Sequence, residues 1–476
     1  MQQPQAQPAE KFSEKFTDHA VNGVNLTEQT ADFVAAHRTE DVRQLALKAK
    51  RVEGLDLPLA LDQIAGWQIA CKKLPQWASC EGIIYPPHIS MEQCSSQFTA
   101  QYKSEIAQTL LTPAVTVRAR MSDSAESDNQ TTKSEPQLSD SGESDNCEVE
   151  MCLRMSDSPE SDTLVARSSM VDLTGGFGVD FSYLARGFSQ ATYVERQRHL
   201  CDLAEHNMAA LGLDQARIVC GDGVECLRQM DPVDFIYLDP ARRDEHGSRT
   251  YAIEDCTPNV LELRDLLLAK SQCTLVKLSP MLDWRKAVAD FDGTVREVHI
   301  VATGNECKEL LLVLGQQVHE EPSAPRVFCV NDNQRIDYDS AAYTQGLRIG
   351  GKPLPEAKNY LYEPNASIMK AGCFDLVEER FGVAQVGPSS HLFVSATPIA
   401  DFPGRGFAIE AIGGMNKKDI KRLLNGTKQA NIAVRNFPLT APQLRKKLKL
   451  ADGGPVYLFG TTMQGCDHVL LRTSKI

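Results

Sequence analysis

A doubly wound α/β domain is what the sequence predicts for the middle of the chain, on three observations. From Met170 onward, strand-length apolar runs alternate with helical ones; the first strand ends in a glycine turn, Thr174-Gly175-Gly176-Phe177-Gly178; and the alternation closes on two strands joined by a short loop. Five alternating units followed by a hairpin imply a mostly parallel sheet with one antiparallel strand near its edge. The strands read as Met170–Leu173, Ala191–Val194, Ala216–Cys220, Val233–Leu238 and Cys273–Leu278, then the hairpin Val295–Val301 and Glu309–Leu314. Between them a helix-like run reaches Arg186, another spans Arg198–Leu211, and a third is opened by Thr257 and Pro258.

The flanks are of other kinds. Residues 1–10 are polar and predicted disordered, and 11–90 are predicted to form a small helical domain. Thr27 and Thr39 precede helix-like runs there, and after Pro58 the residues Ala60, Ile64, Trp67, Cys71 and Leu74 recur at helical spacing until Pro75. Trp67 and Trp77 read as core. The α/β domain is placed at 91–315, interrupted at 121–162 by a segment without aromatic residues in which twelve acidic side chains face two basic ones. Such a segment cannot bury enough apolar surface to offset its ordering entropy, so disorder is expected. The motif R-M-S-D-S-x-E-S-D occurs at Arg120–Asp128 and again at Arg154–Asp162, as in a repeat expansion. It reads as a solvated insert or as a phosphorylatable, partner-binding segment, and it joins the amino end of the first strand, away from the carboxyl-end pocket. Residues 316–402, rich in Pro and Gly with a strand at Leu392–Ser395, form a small α+β module. Residues 403–476 read helix, strand, helix, hairpin, and Thr440-Ala441-Pro442-Gln443 has the capping-box form.

At 476 residues, 42% hydrophobic and 24% charged, the chain has an ordinary globular composition. No run approaches the ~18 apolar residues of a membrane span, and the polar start has no apolar signal core, so a cytoplasmic protein without a membrane partner is expected. Fourteen cysteines are scattered without a C-x-x-C pair or clustered histidines, which favours reduced thiols and no metal. The net charge of −13 would disfavour a nucleic-acid partner, yet from Arg405 to Ile476 thirteen basic residues face four acidic ones.

Ligands of doubly wound sheets bind at the carboxyl ends of the strands. Four strands in succession carry suitable groups there. Gly175, Gly176 and Gly178 follow the first strand, where missing side chains let a backbone approach a ligand. Asp172 can hold a cofactor's amino group, Glu195 both hydroxyls of a ribose, and Asp222, with Gly223 after it, an adenine amino group. Asp239-Pro240 ends the fourth strand, where a transferred methyl group would point. NAD is the rival, but the third position of G-x-G-x-x-G is Phe181 and Asp222 has no task in that scheme. The residues favour S-adenosylmethionine (SAM) and a methyltransferase.

Asp172-Leu173-Thr174-Gly175-Gly176-Phe177-Gly178-Val179-Asp180, with Tyr193-Val194-Glu195-Arg196, Cys220-Gly221-Asp222-Gly223 and Leu238-Asp239-Pro240-Ala241-Arg242-Arg243, resembles the THUMP-like-domain class I SAM-dependent methyltransferases. Glu92-Gln93-Cys94-Ser95-Ser96, Arg435-Asn436-Phe437-Pro438 and Leu444-Arg445-Lys446-Lys447-Leu448 are similar to further segments of that family, and the likeness runs from about residue 60 onward. The resemblance implies a Rossmann-like class I methyltransferase domain at 91–315, a ferredoxin-like module at 316–402 and a THUMP-like domain at 403–476. It also implies RNA, ribosomal or transfer, as substrate. Ser95 and Ser96 would stand near the cofactor's methionine end; helix capping is the equal reading.

Methyl transfer from a sulfonium mainly requires alignment and exclusion of water. Amino-group methyltransferases often carry Asp/Asn-Pro-Pro-aromatic after the fourth strand. Here Asp239, Pro240, Ala241 and Arg242 keep the acceptor carboxylate and lack the stacking ring, for which Tyr251 and Phe177 are candidates. Arg242 and Arg243 either grip phosphate or pair with Asp244 and Glu245. In the tail, Lys417, Lys418, Lys421 and Arg422 crowd one helix, and Arg445, Lys446, Lys447 and Lys449 the next, a pattern that suits a phosphate backbone. Methylation of an RNA base nitrogen is expected; the alternative is a non-catalytic RNA-binding or ribosome-assembly protein retaining the fold.

Overall fold

The computed structural model describes residues 26–48, 52–112, 168–242, 253–316, 324–343, 354, 358–465 and 467–476. The start of the chain and the acidic insert at 121–162 lie outside the described residues. Two compact units form. One takes the chain up to Val171 with Gly176–Tyr193 and Gln197–Val219; the other takes Asp172–Gly175, Val194–Arg196 and Cys220–Ile476.

The first unit begins with helices Glu28–His37, Val42–Lys48, Leu57–Lys73, Pro75–Ser79, His88–Gln93 and Gln97–Leu111. Thr27 caps the first helix as expected, its hydroxyl accepting from the Thr30 N–H. At the second, Asp41 rather than Thr39 does this work, accepting from the Gln44 N–H at 2.9 Å. The third starts earlier than Pro58, at Leu57, because Asp56 caps it. Its buried stripe is Ala60, Gln63, Ile64, Gly66 and Ala70, so Cys71 faces outward instead of joining the core. Trp77 is fully buried and donates from Nε1 to Ser182 Oγ at 3.1 Å; Trp67 is half-buried and donates to the Ala78 carbonyl. Two buried amides also lock the unit: Gln63 pairs with the backbone of Tyr85, and Asn207 with that of Ile84, satisfying groups that are costly to leave unpaired.

The strands follow in chain order as β1 (Ser169–Asp172), β2 (Gln190–Glu195), β3 (Ala216–Cys220), β4 (Val233–Leu238), the short pair β5 (Ala241–Arg242) and β6 (Cys256–Thr257), then β7 (Ser271–Leu278), β8 (Val295–Thr303), β9 (Glu306–Gly315), β10 (Arg326–Asn331) and β11 (Gln334–Asp339). Apart from the β5–β6 pair they make one sheet in the order β11-β10-β8-β9-β7-β4-β1-β2-β3. The predicted fold class is therefore found, with β9 antiparallel to both neighbours, β7 and β8. That strand lies inside the sheet rather than near its edge, because β10 pairs with β8 and carries β11 beyond it. Residues 326–339, expected in the following module, thus extend this sheet. The β8–β9 strands also run longer than expected, since Gly304 (φ 58°) and Asn305 (φ 63°) form a two-residue turn that keeps the pairing to its tip. The helix before β7 starts at Val260 and is capped by Asn259, not by Thr257 and Pro258, which precede it across a cis peptide.

A second sheet holds β12 (Tyr360–Pro364), β13 (Ala384–Gln385), β14 (Phe393–Ser395), β15 (Gly404–Gly413), β16 (Asn431–Arg435), β17 (Val456–Thr462) and β18 (His468–Lys475), in the order β13-β14-β12-β15-β18-β17-β16. Its strands come from both C-terminal modules. Leu423, from helix Lys417–Leu424, and Leu444 and Leu448, from helix Ala441–Leu448, pack in one cluster with Leu458 and Leu470. Phe407, Phe459 and Leu471 enter another cluster with Leu361, Val386 and Leu392. The capping box at Thr440 and Gln443 is present. Buried Glu363 receives hydrogen bonds from Arg405 and Arg435 and so ties β12 to β15 and β16.

Candidate active site

The ends of β4, β1, β2 and β3 lie side by side. Backbone bonds continue past the strands: Leu173 N–H donates to Tyr237, Gly175 to Val194 and Gly221 to Glu195, at 2.9–3.1 Å. These segments belong to one compact unit, which brings Asp172, Glu195, Asp222 and Asp239 to neighbouring strand ends.

Each of these acids has a distinct setting. Asp172, 1% exposed, accepts from the Thr174 N–H at 2.9 Å, and Thr174 Oγ1 in turn accepts from the Asp239 N–H at 2.7 Å. One line of hydrogen bonds therefore fixes the first loop to the fourth. Asp222 is exposed and caps helix Gly223–Gln229, its Oδ1 accepting from Val224 and Glu225, so Oδ2 faces outward from the cap. Glu195 is half-buried. Gly223 sits where a Cβ would lie 2.2 Å from the Leu173 carbonyl oxygen, an approach only glycine permits.

In the other unit, Gly176 (φ 54°) and Gly178 (φ 81°) take left-handed conformations, and the Tyr193 hydroxyl donates to the Gly176 carbonyl at 2.5 Å. The Phe177 ring packs against Trp77, centroids 5.1 Å apart. Ser96 caps helix Gln97–Leu111. Ser95 is buried, donating to Asp180 Oδ2 at 2.8 Å and accepting from Lys103 Nζ at 3.2 Å. Lys103 is 0% exposed and stands 3.1 Å from Asp180 Oδ1. Removing one partner of such a pair strands the other charge, so Lys103→Met is expected to cost about 3–5 kcal/mol, measured by urea unfolding. Adding Asp180→Asn should recover part of that loss; no recovery would mean that the pair is not what the serine and lysine hold in place.

Pro240 follows Asp239, and Ala241 and Arg242 form β5 against β6. Arg243 and Tyr251 lie outside the described residues. Sequence reasoning missed two groups beside Asp239: Lys277, whose Nζ is 2.6 Å from Asp239 Oδ2, and Glu309, whose Oε1 is 4.0 Å from the same nitrogen. A charged residue inside each of two apolar strands was the available signal.

Of the basic tail residues, Arg422 pairs with Asp419 and Arg445 with Asp452. Lys417, Lys418, Lys421, Lys446, Lys447 and Lys449 are exposed. Both helices bury their leucines in one cluster, so these lysines lie on their uncovered faces. Among the described residues no group of three or more His, Cys, Asp or Glu side chains is arranged to hold a metal ion, and no helix is long and apolar enough to cross a membrane.

Residues 149–244 match the family of protein-L-isoaspartate(D-aspartate) O-methyltransferases, 360–403 a ferredoxin-like domain and 404–475 a THUMP domain-like family. A crystal structure from Porphyromonas gingivalis W83, assigned as a methyltransferase, is 29% identical over 94% of this chain and 97% of its own, with a TM-score of 0.72. A SAM-dependent methyltransferase from Agrobacterium tumefaciens is 17% identical over 32% of this chain and 56% of its own, with a TM-score of 0.25. No curated protein sequence matches the chain. The fold, the methyltransferase family match over 149–244 and the Porphyromonas gingivalis structure define a class I SAM-dependent methyltransferase. After that domain the chain carries a THUMP-like C-terminal domain.

Proposed function

We propose that this enzyme transfers a methyl group from SAM to a base nitrogen of RNA, ribosomal or transfer, in the cytoplasm. The observation that carries the reading is the Asp239 carboxylate, 40% exposed at the end of β4 and anchored through its own backbone and through Lys277. In this reading Glu195 holds the ribose hydroxyls of SAM and Asp222 Oδ2 the adenine amino group. Asp172 and Thr174 set the loop, Gly175, Gly176 and Gly178 keep its backbone open to the cofactor, and Gly223 lets the turn after β3 approach Leu173. Ser95 and Ser96 act on that loop through Asp180 and the helix cap. The exposed Asp222 carboxylate, with one oxygen engaged in the helix cap, fits the amine of a nucleoside. SAM supplies an electrophilic methyl on a sulfonium. Asp239 and the Pro240 carbonyl accept hydrogen bonds from the target amine, which directs its lone pair at the methyl group. Ala241 leaves space where a second proline would stand, and Arg242, Arg243 and Tyr251 contact the RNA.

Lys417, Lys418, Lys446 and Lys447, with Arg445 steadied by Asp452, offer the phosphate-binding face. Incubation with methyl-labelled SAM and deproteinised RNA from cells lacking the gene should place the label in RNase-sensitive material; label confined to protein or small molecules would refute the reading. Changing Lys417, Lys418, Lys446 and Lys447 together to glutamine should reduce the slope of log affinity against log salt by about 2–3, as loss of phosphate contacts requires. An unchanged slope in filter binding would move the RNA to another surface.

A further inference from the structure

Strand register explains how Lys277 comes to face Asp239. Leu238 of β4 pairs with Val276 of β7, so the next residue on each strand, Asp239 and Lys277, stand level with one another. On the far side of β7, Glu309 of β9 is buried, and the Lys277 ammonium lies between the two carboxylates, 15% exposed. An ammonium so enclosed is stable only with carboxylate partners.

We propose that Lys277 is a positioning residue of the methyl-acceptor site that also determines its specificity. It occupies Oδ2 of Asp239, leaving Oδ1 as the acceptor, and it offsets the carboxylate's charge. The site then takes a neutral amino group, such as the exocyclic amine of a nucleobase, in preference to a lysine-type ammonium. A bare carboxylate would favour the ammonium, which has no lone pair to offer the methyl group. With Lys277 in place, an incoming cation meets one cation a few Å behind the carboxylate, and at an effective dielectric near 20 that repulsion is several times thermal energy. The inference rests on the SAM and RNA reading above.

Two measurements test it. The first compares affinities for sinefungin, a SAM analogue with a primary amine at the methylsulfonium position, and for S-adenosylhomocysteine, its uncharged counterpart. Lys277→Met should raise the ratio of sinefungin affinity to S-adenosylhomocysteine affinity about tenfold while changing the affinity for S-adenosylhomocysteine less than about threefold, a difference that electrostatics of this range supplies. The second follows methyl transfer to deproteinised RNA from cells lacking the gene. There Lys277→Met should lower kcat about 30-fold with little change in the KM for RNA, the pattern of an interaction that aligns reactants instead of binding them. Lys277→Arg, which keeps charge and donor, should restore both quantities. Lys277→Gln, which keeps a donor without charge, should raise the affinity ratio but spare most of kcat. An affinity ratio that is the same in all four proteins overturns the proposal, as does a Lys277→Met loss that arginine fails to rescue. Were the wild type to bind both compounds yet methylate no RNA, the RNA reading would fall and the ratio would decide the role of Lys277. Binding of neither compound overturns both.

Discussion

Asp239→Ala should reduce methyl transfer to RNA by about 100–1000-fold in kcat, the usual loss when a preorganised group facing developing charge is deleted. In the proposed reaction positive charge builds on the attacking amine nitrogen, and the carboxylate stabilises that charge more in the transition state than in the ground state. Affinity for the uncharged S-adenosylhomocysteine should change little, because the Asp239 side chain is bonded to Lys277 and its contact with the first loop runs through its backbone N–H. Single-turnover transfer of label, paired with calorimetry of S-adenosylhomocysteine binding, separates the two effects. Wild-type rates in this variant would remove Asp239 from the chemistry and leave the strand end with a structural role. By contrast, Asp222→Ala removes a helix cap worth about 1 kcal/mol together with the proposed contact to adenine, and its effect should appear in SAM affinity.

Much of this arrangement is legible in the sequence for a simple reason. Glu195, Asp222 and Asp239 each follow closely on an apolar run, where a strand has to end and a ligand has to bind. β3 and β4 were readable to the residue because turn-forming residues bound both runs. β15 was not, although it is central to the second sheet. Glycines at 404, 406 and 413 weaken its strand pattern, and a bulge between Ile409 and Ala411 breaks the alternation of faces. Lys277 and Glu309 acquire meaning only from sheet order, which puts β7 between β4 and β9. Phe177 meets Trp77, which lies a hundred residues earlier in the chain, a contact that no local pattern announces. The tail's charge count was right in sum but not in distribution: Arg422 and Arg445 neutralise Asp419 and Asp452, leaving the lysines as the open cations.

Gly223→Ala should damage the pocket far more than its one added methyl suggests. The new Cβ would lie 2.2 Å from the Leu173 carbonyl oxygen and 3.2 Å from its carbonyl carbon, so no flexible side chain is available to yield. Either the loop after β1 or the turn after β3 has to move. Overpacking of this kind costs about 1–3 kcal/mol of stability. The displacement also separates the first-loop glycines from Asp222, and a shift near 1 Å in a binding constellation can cost about 100-fold. Gly221→Ala is the matched control, because nothing lies within 4 Å of its Cβ position. That protein should bind SAM within about threefold of wild type, whereas Gly223→Ala should lose about 100-fold, with calorimetry reading affinity and thermal melting reading stability. If Gly223→Ala melts lower yet binds SAM normally, the contact between the two loops serves the fold alone. If it melts normally and loses SAM, the two loops shift at no cost in stability and their close approach serves the ligand site alone.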